Sequence, residues 1–283
     1  MSVSSRIRCV VASAALLLGG SSVVGVAAEH VDVELVLAAD ISLSMSPDEL
    51  QVQRRGYALA LTDPQVLAAI ADGAYGRIAV TYFEWAGQRS QHVIVPWTII
   101  AGQADAERVA KQLSGPPPRQ SRRTSISGAL TFAGDLLAES NFQGLRRVID
   151  ISGDGPNNEG VAVDTARDEL VTRKIIINGL PVMAKSSNLM PYDVAELDTY
   201  YSECVIGGPG SFVMPVTDWA QFPEALRRKL LLELAGRPLP QPPRREESSE
   251  PILVAARTDP AYDCAIGEKL WQRDRGRQRI YDP

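Results

Sequence analysis

The chain has 283 residues, 45% of them hydrophobic and 22% charged, and its 34 acidic against 29 basic side chains set a formal net charge of −5. That length and apolar content allow one large domain with an appendage, and the acidic balance argues against nucleic acid as the main partner. His30 and His92 are the only histidines, so neither a zinc centre nor a serine–histidine catalytic pair is supported.

Residues 1–28 read as an export signal. Arg6 and Arg8 precede an apolar stretch from Val10 to Gly20, and small residues close the segment at Val26, Ala27 and Ala28. Its apolar core is short for a bilayer span; an uncleaved anchor is the other reading. No later segment is long and apolar enough to cross a membrane, so the expected location is periplasmic or secreted. Removing the signal makes the balance more acidic still and leaves two cysteines, Cys204 and Cys264. An oxidising compartment makes that pair a disulfide candidate, with two free thiols as the alternative.

The first strand, Val33 to Ala39, runs straight into Asp40, Ser42 and Ser44. Three small oxygen donors leaving a buried strand suit a hard cation such as Mg²⁺. Ser46, Pro47 and Glu49 then form the signature of a capping box with proline at the first helical position, so a helix is expected from Pro47 towards Leu61. Asp63 and Pro64 open a second helix, Gln65 to Ala71. Arg77 to Trp85 and His92 to Ile100 are strands joined by Ala86 to Gln91, short enough for a hairpin, which puts one antiparallel strand at a sheet edge. Trp85 and Trp97 on these strands read as core or interface packing.

Ala104 to Leu113 has a helical pattern, Gly115 to Pro118 ends it, and Arg122, Arg123 and Thr124 lead into apolar residues at helical spacing from Gly128 to Glu139. Arg147 to Ser152 is a buried-type strand ending in a second acidic loop with Asp154, Asn157 and Asn158. A helix from Val163 to Thr172, a strand from Ile175 to Gly179, a helix through Asp193 to Tyr201, a last strand from Phe212 to Val216 and a helix from Pro223 to Ala235 complete the pattern. Alternating strands and helices predict an α/β fold: a doubly wound, mostly parallel central sheet with one antiparallel edge strand and helices on both faces. Both acidic loops then lie at the carboxyl ends of strands, where such sheets bind ligands. Residues 237–250 are proline-rich and charged, hence a linker. The tail, residues 251–283, has too few apolar residues to fold alone. A Cys204–Cys264 bond, with Cys204 in a helix-to-strand loop, is expected to strap that tail to the side opposite the acidic loops.

Asp40-x-Ser42-x-Ser44, then Thr124 within Arg-Thr-Ser-Ile-Ser-Gly-Ala-Leu130, then Asp154 at a later strand end together resemble the metal ion-dependent adhesion site of von Willebrand factor type A domains, over Val31 to about Ala235. The wording of Arg77 to Ala86, Val95 to Trp97, Val148 to Asn158 and Val205 to Gly210 is similar to a bacterial branch of exported type A-like proteins. With the signal at 1–28, the linker at 237–250 and the tail at 251–283, the resemblance makes residues 29–236 a type A-like domain. It implies that Ser42, Ser44 and Thr124 offer hydroxyls to Mg²⁺, with Mn²⁺ or Ca²⁺ as alternatives, while Asp40 and Asp154 act directly or through water. One position is left for a carboxylate of a protein partner, and Asn157, Asn158, Arg122 and Arg123 are candidate ligand contacts. The expected function is non-enzymatic, metal-dependent protein binding in adhesion or assembly. Two alternatives are a metal-dependent phosphoester hydrolase with Asp40 as nucleophile, and a structural protein whose site holds no metal.

Overall fold

The computed structural model describes residues 28–116, 120–184, 194–235 and 262–281. The export segment up to residue 27 and the linker at 237–250 lie outside them. Five strands form one sheet: β1 (Glu29–Asp40), β2 (Ile78–Trp85), β3 (Gln91–Ile100), β4 (Phe142–Gly153) and β5 (Ile176–Pro181). Their order is β3-β2-β1-β4-β5. β1 pairs in parallel with β2 and β4, β4 pairs in parallel with β5, and β3 is the antiparallel edge. The fold is therefore the expected α/β architecture. β1 and β4 begin earlier than the apolar runs suggest because they pair from Glu29 with Phe142 onwards, a match that hydropathy alone does not display.

Alternation along β1 feeds two cores. Val33, Leu35, Leu37 and Ala39 join a cluster with Tyr57, Leu61, Val80, Tyr82, Phe222 and Leu226. Val36 and Ala38 join another with Phe83, Trp85, Ile126, Leu130, Ile149 and Leu170. A strand buried on both faces has to be apolar at nearly every position, which is why β1 reads as a continuous run. The first cluster packs under α1 (Pro47–Leu61), α2 (Pro64–Ala71), α3 (Gln103–Leu113) and α7 (Phe222–Ala235); the second lies under α4 (Ile126–Ala138) and α5 (Val163–Thr172). Trp97, half-buried, donates its indole N–H to the Leu136 carbonyl at 3.1 Å.

α1 starts as its sequence predicts. The Ser46 side chain accepts from the Glu49 amide at 3.3 Å and the Glu49 carboxylate accepts from the Ser46 amide at 2.7 Å, satisfying two amides that the helix itself leaves open. Ser46→Ala should cost about 1 kcal/mol of stability, measurable as a lower midpoint with an unchanged slope in urea unfolding. Within α1, buried Arg54 makes a bidentate pair with Glu84 at 2.6 and 2.8 Å and donates to the Gly115 carbonyl at 2.6 Å. A helix residue thereby anchors the end of α3.

Two expectations need correction. Phe212 to Val216 is not a regular strand. It meets the β5 region through two isolated parallel bridges, Gly179 with Val213 and Val182 with Val216, because Pro181 and Pro215 each remove a ladder donor. In the tail, α8 (Ile266–Tyr281) follows Cys264, which is bonded to Cys204 as expected. The helix expected through Asp193 to Tyr201 is a single α-helical turn, α6 (Leu197–Tyr200), continuing as a π-helical turn from Tyr201 to Val205; Asp193 lies outside the described residues.

Candidate functional site

β1 is flanked by β2 on one side and β4 on the other, so the chain reverses its winding direction there. The loop after β1 leads to a helix on one face, and the loop after β4 leads to a helix on the other. Loops that diverge leave a crevice at the carboxyl ends of the strands. Asp40 ends β1, in register with Trp85 of β2, while Ala39 pairs with Ser152 of β4, which brings Asp40 beside Gly153 and Asp154.

The oxygens of this crevice are in contact. Ser42 Oγ and Ser44 Oγ are 2.9 Å apart, and Ser44 Oγ donates to Asp154 Oδ1 at 2.8 Å. Asp40 Oδ1 accepts from the Ser42 amide at 2.6 Å. Gln53 holds the Asp40 carbonyl at 2.9 Å, and Gln120 holds the carbonyls of Ser42 and Met45 at 3.1 and 2.7 Å. Thr124 is buried, and its hydroxyl is 4.0 Å from where a β-carbon on Gly155 would stand. Ser42, Ser44, Thr124, Asp40 and Asp154 therefore share one edge. Leu43, in the same loop, is 53% exposed.

Asp40 is fully buried and its Oδ2 has no hydrogen-bond partner among the described residues. Burial first, and then the neighbouring Asp154 charge, push its pKa well above the usual carboxylate range, against the amide hydrogen bonds that lower it. A β-carbon on Gly153 would stand 3.0 Å from Asp40 Oδ2 and 2.8 Å from the Tyr201 hydroxyl. That hydroxyl and the Trp85 indole nitrogen are likewise buried without hydrogen-bond partners. Only glycine leaves this space beneath the edge open.

Asn157 and Asn158 hold the neighbouring backbone through their side-chain oxygens. Asn158 Oδ1 accepts from the Thr124 amide at 3.0 Å, and the Asn158 amide donates to the Thr124 carbonyl at 2.8 Å. Asn157 Oδ1 accepts from the Ser127 amide at 3.0 Å, its Nδ2 donates to Val161 O at 3.2 Å and to Glu268 Oε1 at 2.7 Å, and its amide donates to Tyr200 Oη at 3.1 Å. Both asparagines hold Thr124 and the start of α4. Arg122 is exposed. Arg123 adopts a left-handed backbone with φ 79° and places its guanidinium 4.0 Å above the Trp271 ring. The tail helix therefore sits beside the acidic loops and not on the opposite side: Cys204 lies in the π-helical turn that follows Tyr200 and begins at Tyr201, and those two rings reach the carboxyl ends of the strands. Glu268, Trp271 and Tyr201 were invisible to motif reading. Only the Ile266 and Leu270 spacing behind Asp263 hinted at a helix in the tail.

A doubly wound sheet with this strand order and hydroxyl and carboxylate donors at its switch point is a von Willebrand factor type A-like domain. The chain belongs to the family described as protein of unknown function (DUF1194), whose profile matches residues 30–238. Solved structures similar to it include proximal thread matrix protein 1 (PTMP1) from the mussel byssus with a zinc-occupied MIDAS motif, at 12% identity and a TM-score of 0.51, covering 73% of this chain and 48% of that one. The pilus adhesin SpaC from Lactobacillus rhamnosus GG is also similar, at 12% identity and a TM-score of 0.51, covering 71% of this chain and 31% of that one. The chain thus matches less than half the length of either, and the likeness shows the fold. No curated protein matches the sequence.

Proposed function

We propose that this protein is an exported, non-enzymatic binding domain that captures an acidic group of a protein partner through a divalent cation held by Asp40, Ser42, Ser44, Thr124 and Asp154. The observation that carries the reading is the chain of contacts from Ser42 Oγ through Ser44 Oγ to Asp154 Oδ1, beside a buried Asp40 oxygen with no hydrogen-bond partner among the described residues. A fully buried carboxylate with a second, partly exposed one beside it fits a cation, which would compensate both. Among the described residues no three His, Cys, Asp or Glu side chains gather as a metal-binding group, so a cation at this edge takes hydroxyl oxygens, a donor set for Mg²⁺ and for its hard relatives Mn²⁺ and Ca²⁺. When bound, such an ion supplies a Lewis-acidic position for an incoming carboxylate. The chain's own residues do the rest. Asn158 holds the Thr124 backbone, the Ser42 amide orients Asp40, and exposed Leu43 and Arg122 offer the partner apolar and cationic contacts at the rim.

The adhesion protein and the byssal matrix protein that share the fold support a binding role over catalysis, and the disulfide supports an oxidising compartment, periplasmic or extracellular. No helix among the described residues is long and apolar enough to cross a membrane. The test is calorimetric titration of the purified protein with Mg²⁺ and Mn²⁺. One-to-one binding at or below millimolar metal is expected; absence of heat and of any metal-dependent shift in melting temperature would overturn the reading.

A further inference from the structure

We infer that the C-terminal helix α8 belongs to the machinery of the metal edge, with Glu268 and Trp271 as positioning residues for Thr124 and for the loop that follows Asp154. The inference rests on the metal reading above and adds to it a dependence of metal affinity on the tail.

The loops that carry Thr124 and Asp154 come from different strand ends, and α8 touches both. On the Asp154 side, Glu268 Oε1 accepts from Asn157 Nδ2 at 2.7 Å. Gly267 lies so close to this loop that a β-carbon there would stand 2.1 Å from the Asn157 carbonyl and 3.0 Å from the Pro156 side chain. Only a glycine lets the helix backbone press on the loop in this way. On the Thr124 side, the Trp271 ring lies under the guanidinium of Arg123, the residue immediately before Thr124 and one whose left-handed φ needs support from its surroundings. Between these two holds, Asn158 grips the Thr124 backbone in both directions and Asn157 grips the first turn of α4.

The rear of the clamp is fixed as well. Cys264, just before α8, is bonded to Cys204, in the turn that also carries Tyr201 under Asp40 and follows Tyr200, whose hydroxyl accepts from the Asn157 amide. Tyr262 packs edge-on against Tyr200. A mere strap would not need what Glu268 brings, since its second carboxylate oxygen is buried with no hydrogen-bond partner among the described residues. That cost is explained when the carboxylate holds Asn157, and through it the geometry at Thr124. Residues behind metal ligands commonly change metal affinity tenfold to a hundredfold when removed.

The experiment is Mg²⁺ titration calorimetry on the disulfide-bonded protein, paired with hydrogen exchange of the Thr124 and Asn158 amides without metal. Glu268→Ala and Trp271→Ala should each weaken Mg²⁺ binding by about tenfold and speed exchange at Thr124. Glu268→Gln, whose amide oxygen still accepts from Asn157, should stay near wild type. Lys269→Ala, which breaks an exposed pair with Asp263 at 2.7 Å on the same helix, should change neither readout. Wild-type affinity and wild-type exchange in both alanine variants would overturn the inference. If the wild-type protein binds no Mg²⁺ while exchange at Thr124 still rises in Glu268→Ala, the metal reading fails and the brace alone stands. If Glu268→Ala does not fold, Trp271→Ala decides.

Discussion

Asp40→Asn is expected to abolish Mg²⁺ binding and, in the absence of metal, to make the protein more stable by about 1–3 kcal/mol. The two effects have one cause. Asparagine keeps an acceptor for the Ser42 amide, so the turn after β1 is retained, and it removes a buried charge that faces Asp154 with an oxygen that has no partner among the described residues. A site built to hold a cation is destabilised without one, and stability returns when the carboxylate is neutralised or the ion is supplied. In saturating Mg²⁺ the order should therefore reverse: wild type gains about 2.7 kcal/mol at a hundred times its dissociation constant, and the variant gains nothing. Urea unfolding of both proteins, with chelator and with metal, reads all four values. A metal-free variant that is markedly less stable than wild type would mean that the Asp40 charge is structural, and the cation reading would lose its main support.

Lys229→Met should destabilise the protein by about 3–5 kcal/mol at pH 8, although methionine nearly matches the lysine stem in volume. Lys229 is fully buried in α7, with Nζ 2.8 Å from Asp150 Oδ1 and 2.5 Å from Glu233 Oε1; Asn178 donates to the same Glu233 oxygen at 2.9 Å. Removing the Lys229 ammonium takes the directly paired positive charge away from two carboxylates beneath the sheet. Burial pushes the Asp150 pKa up to about 7, with Lys229 lowering it and Glu233 raising it. A carboxyl raised in the folded state contributes stability that is complete below its unfolded pKa near 4 and is lost as pH rises through 7. Without Lys229 that pKa rises further, so the deficit of the variant should shrink on acidification from pH 8 to pH 5. Adding Asp150→Asn and Glu233→Gln should restore most of the loss. A deficit independent of pH would show that packing, and not charge, sets the effect.

How much of this was legible in the sequence depended on the range of the interaction concerned. Hydrophobic runs, caps and turns act over a few residues, so β1, the capped α1 and α2, the β2–β3 hairpin and the helix after Thr124 could be read directly. Asp40, Ser42 and Ser44 were legible because alternate residues of one loop carry the oxygens, and Asp154 because it ends a buried strand. The sixth strand failed for a local reason that patterning does not weigh: prolines at 181 and 215 remove the donors that a ladder needs. Asn157 and Asn158 have side chains that look free in a loop, yet each Oδ1 accepts from a backbone amide, that of Ser127 in α4 and that of Thr124.

The sequence by itself determined the α/β class, the two acidic loops at strand ends and the chemistry of their donors, since these follow from residue type, period and order along the chain. Only the tertiary structure decided that the five candidate donors share one edge, that Asp40 keeps a buried oxygen unsatisfied over Gly153 and Tyr201, that Lys229 joins two buried carboxylates, and that α8 sits against the Thr124 and Asn157 loops and not opposite them. Each of these depends on contacts between residues tens of positions apart. Such contacts are set by strand order and by the disulfide, which bring together groups whose proximity no local pattern records.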